Sequence, residues 1–167
     1  LGIEVLPPDV NKSFAEFSVE EGKIIFGLSG IKNVGSNLID SIVKARKKDG
    51  KFTNFKDFLQ RVDEIDSRSL NKKGIESLIK AGAFDSLTYT RSSLMAIYEK
   101  AISAVSDNRK INVKGQLNLL DGLSDKPKED VRIQEINEFP KKTKLKLEKE
   151  VLGFYISDHP LSDLGDR

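Results

Sequence analysis

Between Ser29 and Arg46 the apolar residues fall at Ile31, Val34, Leu38, Ile39, Ile42 and Val43. From Leu38 onward they repeat with the helical period on one face. Between the two apolar sets lies Asn33-Val34-Gly35. Glycine tolerates any backbone angle and asparagine is at ease in the left-handed region, so a tight turn with outward-pointing amides fits there. The stretch predicts a helix, a short hairpin and a second helix, and a turn at a helix N-terminus is a ready anion site.

Upstream, Pro7-Pro8 in Leu1 to Val10 forbids a helix and favours an extended lead-in. Phe14 to Val19 alternates apolar and polar residues, and Lys23 to Leu28 follows Glu21-Gly22, which predicts a short β-hairpin. Downstream, Phe55, Phe58, Leu59 and Val62 carry helical spacing, with Thr53 as the expected N-cap. Leu70, Ile75, Leu78 and Ile79 form a further helical stripe that ends in Lys80-Ala81-Gly82-Ala83-Phe84, where Gly82 suits a turn. Leu94, Ile97, Tyr98, Ala101, Ile102 and Val105 then give an amphipathic helix over Thr90 to Val105. From Ser106 to Lys144 periodicity fades into Asp, Asn, Lys, Glu and Pro, which reads as a flexible linker. It holds one apolar island, Gln116-Leu117-Asn118-Leu119-Leu120. Leu145 to Leu152 reads as a helix, and Gly153-Phe154-Tyr155-Ile156 as the start of a strand in a following domain.

Composition narrows the chemistry. Hydrophobic residues make up 38% and charged residues 32% of the 167, as in a globular protein, and no apolar run is long enough to span a bilayer. Residue 1 is Leu and no signal pattern opens the chain, so a piece excised from a longer cytoplasmic protein is expected. With no Cys, thiol nucleophiles and thiolate metal sites drop out; a lone His159 leaves neither an imidazole metal cluster nor a serine-type triad. Asp9, Asp63, Asp66, Asp85 and Asp158 are scattered and form no Asp-x-Asp pair, so no catalytic or metal-binding residue is expected here. A net charge of +2 does not announce a nucleic-acid partner, and any such role must rest on local patches. One is Lys44, Arg46, Lys47, Lys48 and Lys51; another is Lys141, Lys142, Lys144, Lys146 and Lys149, which reads rather as a solvated helix face.

The turn at Asn33-Val34-Gly35 resembles the helix-hairpin-helix motif of DNA-binding proteins, although Asn33 stands where that motif usually has its first Gly. The stripe ending at Gly82 reads as a second copy. The expected fold is mainly α, in four parts. An extended lead-in and small β-hairpin occupy 1–28, and a tandem helix-hairpin-helix domain occupies 29–105. The polar linker covers 106–144, and 145–167 holds a helix and the start of the next domain.

Five segments in order, LGIEVLPPDVN, FGLSGIKNVG, LIKAGAFD, GQLNLLD and EKEVLGFYISDHPL, resemble the bacterial DNA polymerase III alpha subunits, the C-family replicative polymerases, in the region after the fingers. The resemblance covers essentially the whole chain. It implies a tandem helix-hairpin-helix domain that holds duplex DNA by its phosphates without reading sequence. By position the DNA-contacting residues are Lys32, Asn33, Val34, Gly35 and Ser36, with Lys80, Ala81, Gly82 and Ala83. It further implies a motif that docks onto the ring-shaped sliding clamp, Gln116, Leu117, Asn118, Leu119 and Leu120, with Leu120 where the family often has Phe. Other replicase subunits would be partners through the parent chain, and the catalytic Mg ions would sit in a palm domain outside this sequence, leaving the isolated chain inactive as a nucleotidyltransferase.

Two alternatives stay open. The hairpins could serve only to assemble the polymerase fold, and Leu117, Leu119 and Leu120 could pack back onto the domain. A piece of a repair nuclease or ligase with the same motif would carry its acidic or lysine nucleophile outside residues 1–167.

Overall fold

The computed structural model describes residues 4–117 and 133–153, with backbone only over 111–117. The fold is mainly α, with five α-helices and a small sheet at the N-terminal end. Strand β1 (Val5–Leu6) runs parallel to β3 (Lys23–Ile25), and β2 (Ser18–Glu20) pairs antiparallel to β3, giving the order β1-β3-β2. The expected hairpin therefore forms, and part of the lead-in becomes a third strand. Its two-residue turn has both positions left-handed, Glu21 at φ 52° and Gly22 at φ 77°, as strand twist favours.

A 3₁₀ turn (Leu28–Gly30) leads through residues 31–35 into α1 (Ser36–Asp49). The first arm of the expected helix-hairpin-helix is thus a single 3₁₀ turn rather than an α-helix. Helix α2 (Phe55–Ile65) is capped by Asn54, whose side chain accepts the Asp57 N–H, not by Thr53. The Thr53 N–H instead donates to Asp57 Oδ2 at 3.0 Å. Burial alone would push the Asp57 carboxyl up, but this bond and the Arg61 guanidinium hold it below the usual carboxylate range. A second 3₁₀ turn (Ser67–Ser69) joins α2 to α3 (Lys72–Lys80).

Helix α4 (Arg91–Leu117) continues well past Val105, so residues 106–117 are helical rather than linker. Arg109 contributes an anchor, with its guanidinium 2.6 Å from the Asp63 carboxylate on α2. Residues 133–140 also run against the fold. Ile136 O accepts from Thr90 Oγ1 at 2.8 Å, and the Glu138 carboxylate caps α4 by accepting the Arg91 and Ser92 N–H groups at 3.0 and 3.3 Å. Helix α5 (Lys141–Leu152) starts earlier than its apolar spacing predicts and packs on α3, while residues 154–167, where the start of the next domain is expected, lie outside the described residues. Val151, Leu152 and Glu148 are buried against the body of the fold.

One core joins these elements. Phe52, Phe55, Phe58 and Phe84 meet edge to face, with centroids 4.8–5.1 Å apart, a geometry worth about 0.5–1.5 kcal/mol per pair beyond area burial. Arg46, expected on the basic surface, is spent internally. It donates to Val10 O and Ser13 O at 2.8 Å and lies over the Phe14 ring, stapling the N-terminal sheet to α1.

Candidate nucleic-acid interface

In residues 31–36 the apolar residues are anchors and the polar ones face out. Ile31 and Val34 are buried, while Lys32, Asn33, Gly35, Ser36 and Asn37 are exposed. The turn is fixed from three sides. The Lys32 N–H donates to Val151 O of α5 at 2.9 Å, the Val34 N–H to Ile31 O at 3.3 Å, and Asn33 Nδ2 to Ser77 Oγ of α3 at 3.4 Å. Asn33 takes the left-handed conformation at φ 68°, as its residue type predicts. Gly35 does not: at φ −84°, ψ 167° it is an extended N-cap.

That N-cap leaves α1 without a capping side chain or an acid in its first turn. Helices α2, α3 and α4 are capped by Asn54, Asn71 and Glu138 respectively. Among the described residues the amides of Ser36 and Asn37 have no acceptor. They are exposed at the positive end of the helix dipole, a position that favours an anionic oxygen, and α5 likewise has neither a capping side chain nor an acid in its first turn.

The second predicted turn is not such a site. Lys80, Ala81, Gly82 and Ala83 are all buried. Ala83 N–H donates to Leu78 O and Gly82 N–H to Ile79 O, both at 3.0 Å, closing α3 in a Schellman cap around Gly82 at φ 83°. Ala81 N–H goes to Ser77 O at 2.9 Å. The Lys80 ammonium is held by Glu76 at 2.8 Å and Glu150 at 3.2 Å. Burial works against its charge, but these carboxylates win and raise its pKa. No amide and no free cation remains for a ligand.

The turn that does stand beside the first hairpin is residues 66–71, at the opposite end of α3 from Gly82. Asp66 Oδ1 accepts the Arg68 N–H at 3.0 Å, Ser69 Oγ donates to Asp66 O at 2.7 Å, and Asn71 Oδ1 accepts the Gly74 N–H at 2.6 Å to cap α3. Gly74 lets the two turns meet, because a Cβ there would lie 2.8 Å from Leu38 Cδ2 and 3.3 Å from Asn33 O. Arg68, Lys72 and Lys73 are exposed on this turn and the first turn of α3. Arg68 is 3.6 Å from Asp66 and Lys72 is 3.9 Å from Glu99, both largely in solvent and weak. The signal for this turn was the N-cap Asn71 before Lys72-Lys73; the glycine at 82 was the louder one.

The remaining candidates divide differently. Gln116 and Leu117 form the end of the α4 backbone, while Asn118, Leu119 and Leu120 lie outside the described residues, as do Asp158 and His159. Asp63 and Asp85 pair with Arg109 and Arg91, Asp66 caps a turn, and Asp9 accepts from the Asn11 N–H at 2.8 Å. Among the described residues no three His, Cys, Asp or Glu side chains converge on a metal-sized space. No helix there is long and apolar enough to cross a membrane.

Comparison with known proteins places this geometry in context. A family model described as a helix-hairpin-helix motif matches residues 2–94. The DNA polymerase III subunit alpha of Borreliella burgdorferi is 42% identical over 163 residues, covering 96% of this chain and 14% of that protein. The protein of the same name from Mycobacterium leprae is 43% identical over 163 residues, with the same two coverages. That from Aquifex aeolicus is 42% identical over 166 residues, covering 97% of this chain and 12% of its own. The chain thus spans about a seventh or less of the length of these relatives.

Proposed function

This chain belongs to the DNA polymerase III alpha subunit family, and from that membership we propose that it is the part of a replicative polymerase that holds duplex DNA by its phosphates. The observation that carries the reading is the pair of adjacent turns at 31–36 and 66–71, with open amides at Ser36 and Asn37 and the cations Lys32, Arg68, Lys72 and Lys73 around them. Amides at a helix N-terminus bind a phosphate oxygen whatever the base, and the lysines add counterion release. The product is sequence-independent, salt-sensitive grip. At 80–83 the burial of the turn and the bonding of its Ala81, Gly82 and Ala83 amides favour a purely structural role.

The second half of the proposal is clamp docking through Gln116 to Leu120. A Gln amide donates and accepts at once, and three leucines offer apolar anchors for a groove. Polymerase chemistry, its magnesium ions and contacts with other replicase subunits are assigned to parts of the whole protein outside this chain, acting in the cytoplasm.

Fluorescence anisotropy on two unrelated 20-base-pair duplexes tests the first half. The logarithm of the binding constant should fall linearly with log salt and equally for both sequences. The triple variant K32Q/K72Q/K73Q should lose about 2–3 in slope, near 0.9 per phosphate contact. An unchanged slope sinks the proposal. For the clamp, Q116A/L119A/L120A should abolish capture of the chain by its cognate sliding clamp, and capture at the unsubstituted level refutes that half.

A further inference from the structure

We propose that the phosphate contact does not end at the hairpin but continues along the outer face of α1, through Lys44, Lys47 and Lys48 to Lys51, an inference that rests on the hairpin being a DNA site. Successive residues turn by 100°, so Ser36, Asn37, Lys44, Lys47 and Lys48 fall on one side of the helix. All of them are exposed, whereas Leu38, Ile39, Ile42 and Ala45 on the other side are buried. The open amides and these three lysines therefore share one side of α1, with the exposed Asp40 among them. Ser36 to Lys48 spans about 18 Å of helix at 1.5 Å per residue. A duplex of that length presents about 5 phosphates on each strand.

These lysines are clustered and without a carboxylate partner, whereas other unpaired lysines such as Lys100, Lys142 and Lys146 lie on other helices. Lys23, Lys72, Lys80 and Lys144 each have a carboxylate within 4.0 Å. None of Lys44, Lys47, Lys48 and Lys51 has one among the described residues, although Asp40 and Asp49 share their helix. Balancing the helix dipole accounts for Lys47 and Lys48, which lie in the last turn of α1, but not for the other two. Lys44 lies more than a turn from the end of α1, and Lys51 lies beyond it. The C-terminal end already has a cation, because Arg61 donates to Ala45 O at 2.8 Å, Gly50 O at 2.6 Å and Lys51 O at 3.1 Å. Lys44, Lys47 and Lys48, with Lys51 just beyond the helix, form a strip of net positive charge in which Asp40 is the one acid on that side, and the chemistry that fits it is the polyanionic backbone of the same duplex.

The test compares K44Q/K47Q/K48Q with K100Q/K142Q/K146Q, a control that removes the same charge from exposed positions elsewhere, on a 24-base-pair duplex. Thermal melts check that both variants keep the parent's midpoint. The strip variant should lose about 2–3 in salt slope, and the control less than about 1. Equal losses in the two variants would make the strip a contributor to net charge only and overturn the inference, as would an unchanged slope in the strip variant. If the unsubstituted chain shows no salt-dependent duplex binding, the hairpin reading falls and this inference with it; if it binds and only the strip variant is silent, the hairpin reading stands alone.

Discussion

Arg91 offers the sharpest test of how α5 is held. Its side chain is 1% exposed and forms ion pairs with Glu148, at 0% exposure, across 2.9 Å and with the half-open Asp85 across 2.7 Å. Burial alone would lower the guanidinium pKa, but the two carboxylates outweigh it and raise it. Replacing Arg91 with Leu withdraws the cation from a carboxylate that has no access to water, a change worth about 3–5 kcal/mol. The Asp85 contact adds at most about 1 kcal/mol because that carboxylate is partly solvated. A domain of this size has a total stability of about 5–15 kcal/mol, so R91L should fold but melt roughly 10 °C lower. Urea denaturation followed by circular dichroism would measure the loss. The double variant R91L/E148L should recover part of it, giving a coupling energy of about 2 kcal/mol or more, because the buried carboxylate is removed together with its guanidinium. A single-variant loss below about 1 kcal/mol, or additive losses in the double variant, would refute the claim that this buried pair fastens α5.

Other consequences are as direct. G82A should destabilise by about 2 kcal/mol or more, since the position is left-handed at φ 83° and a Cβ would run into the Arg91 guanidinium; an unchanged urea midpoint would contradict the Schellman geometry. Burial, with Glu76 and Glu99 close by, pushes the Tyr98 phenol up to about 12. A phenol whose folded pKa exceeds its unfolded value near 10 favours the fold below pH 10, and that stability is lost as pH rises toward 12; Y98F should flatten this alkaline decline, and an identical decline would count against it. The Glu76 carboxyl is held below the usual carboxylate range chiefly by its hydrogen bond from Lys80. Its contribution is therefore complete at neutral pH and lost as pH falls through that lowered value, so E76Q should be less stable than the parent at pH 7 and close to it at pH 2.

The legible part of this fold was local. Asn33 was readable as the left-handed residue because few residue types adopt that conformation, and the stripes of α1, α2 and α3 were readable because one face of each meets the core. Gly82 is ambiguous in sequence for a physical reason: a glycine that stops a helix in a Schellman cap, as it does here, and one that opens a phosphate-binding hairpin leave the same mark. Residues 106–117 carry no apolar stripe, and the described tie of that part of α4, Arg109 to Asp63, joins positions far apart in sequence. The docking of α5 was invisible for the same cause, since it rests on pairs such as Lys80 with Glu150 and Arg91 with Glu148. Asn54 outcompeted Thr53 as a cap by one position, a difference that depends on backbone angles rather than residue preference.

The central claim is that the α1 N-terminus, and not the turn at Gly82, meets the phosphate. An amide-resolved NMR titration of the chain with a duplex of arbitrary sequence tests it most directly. The account predicts large, saturable shifts at the Ser36 and Asn37 amides, smaller ones at Arg68, Lys72 and Lys73, and none at Gly82 or Ala83. Shifts concentrated at Gly82 and Ala83, with Ser36 and Asn37 unmoved, would contradict it.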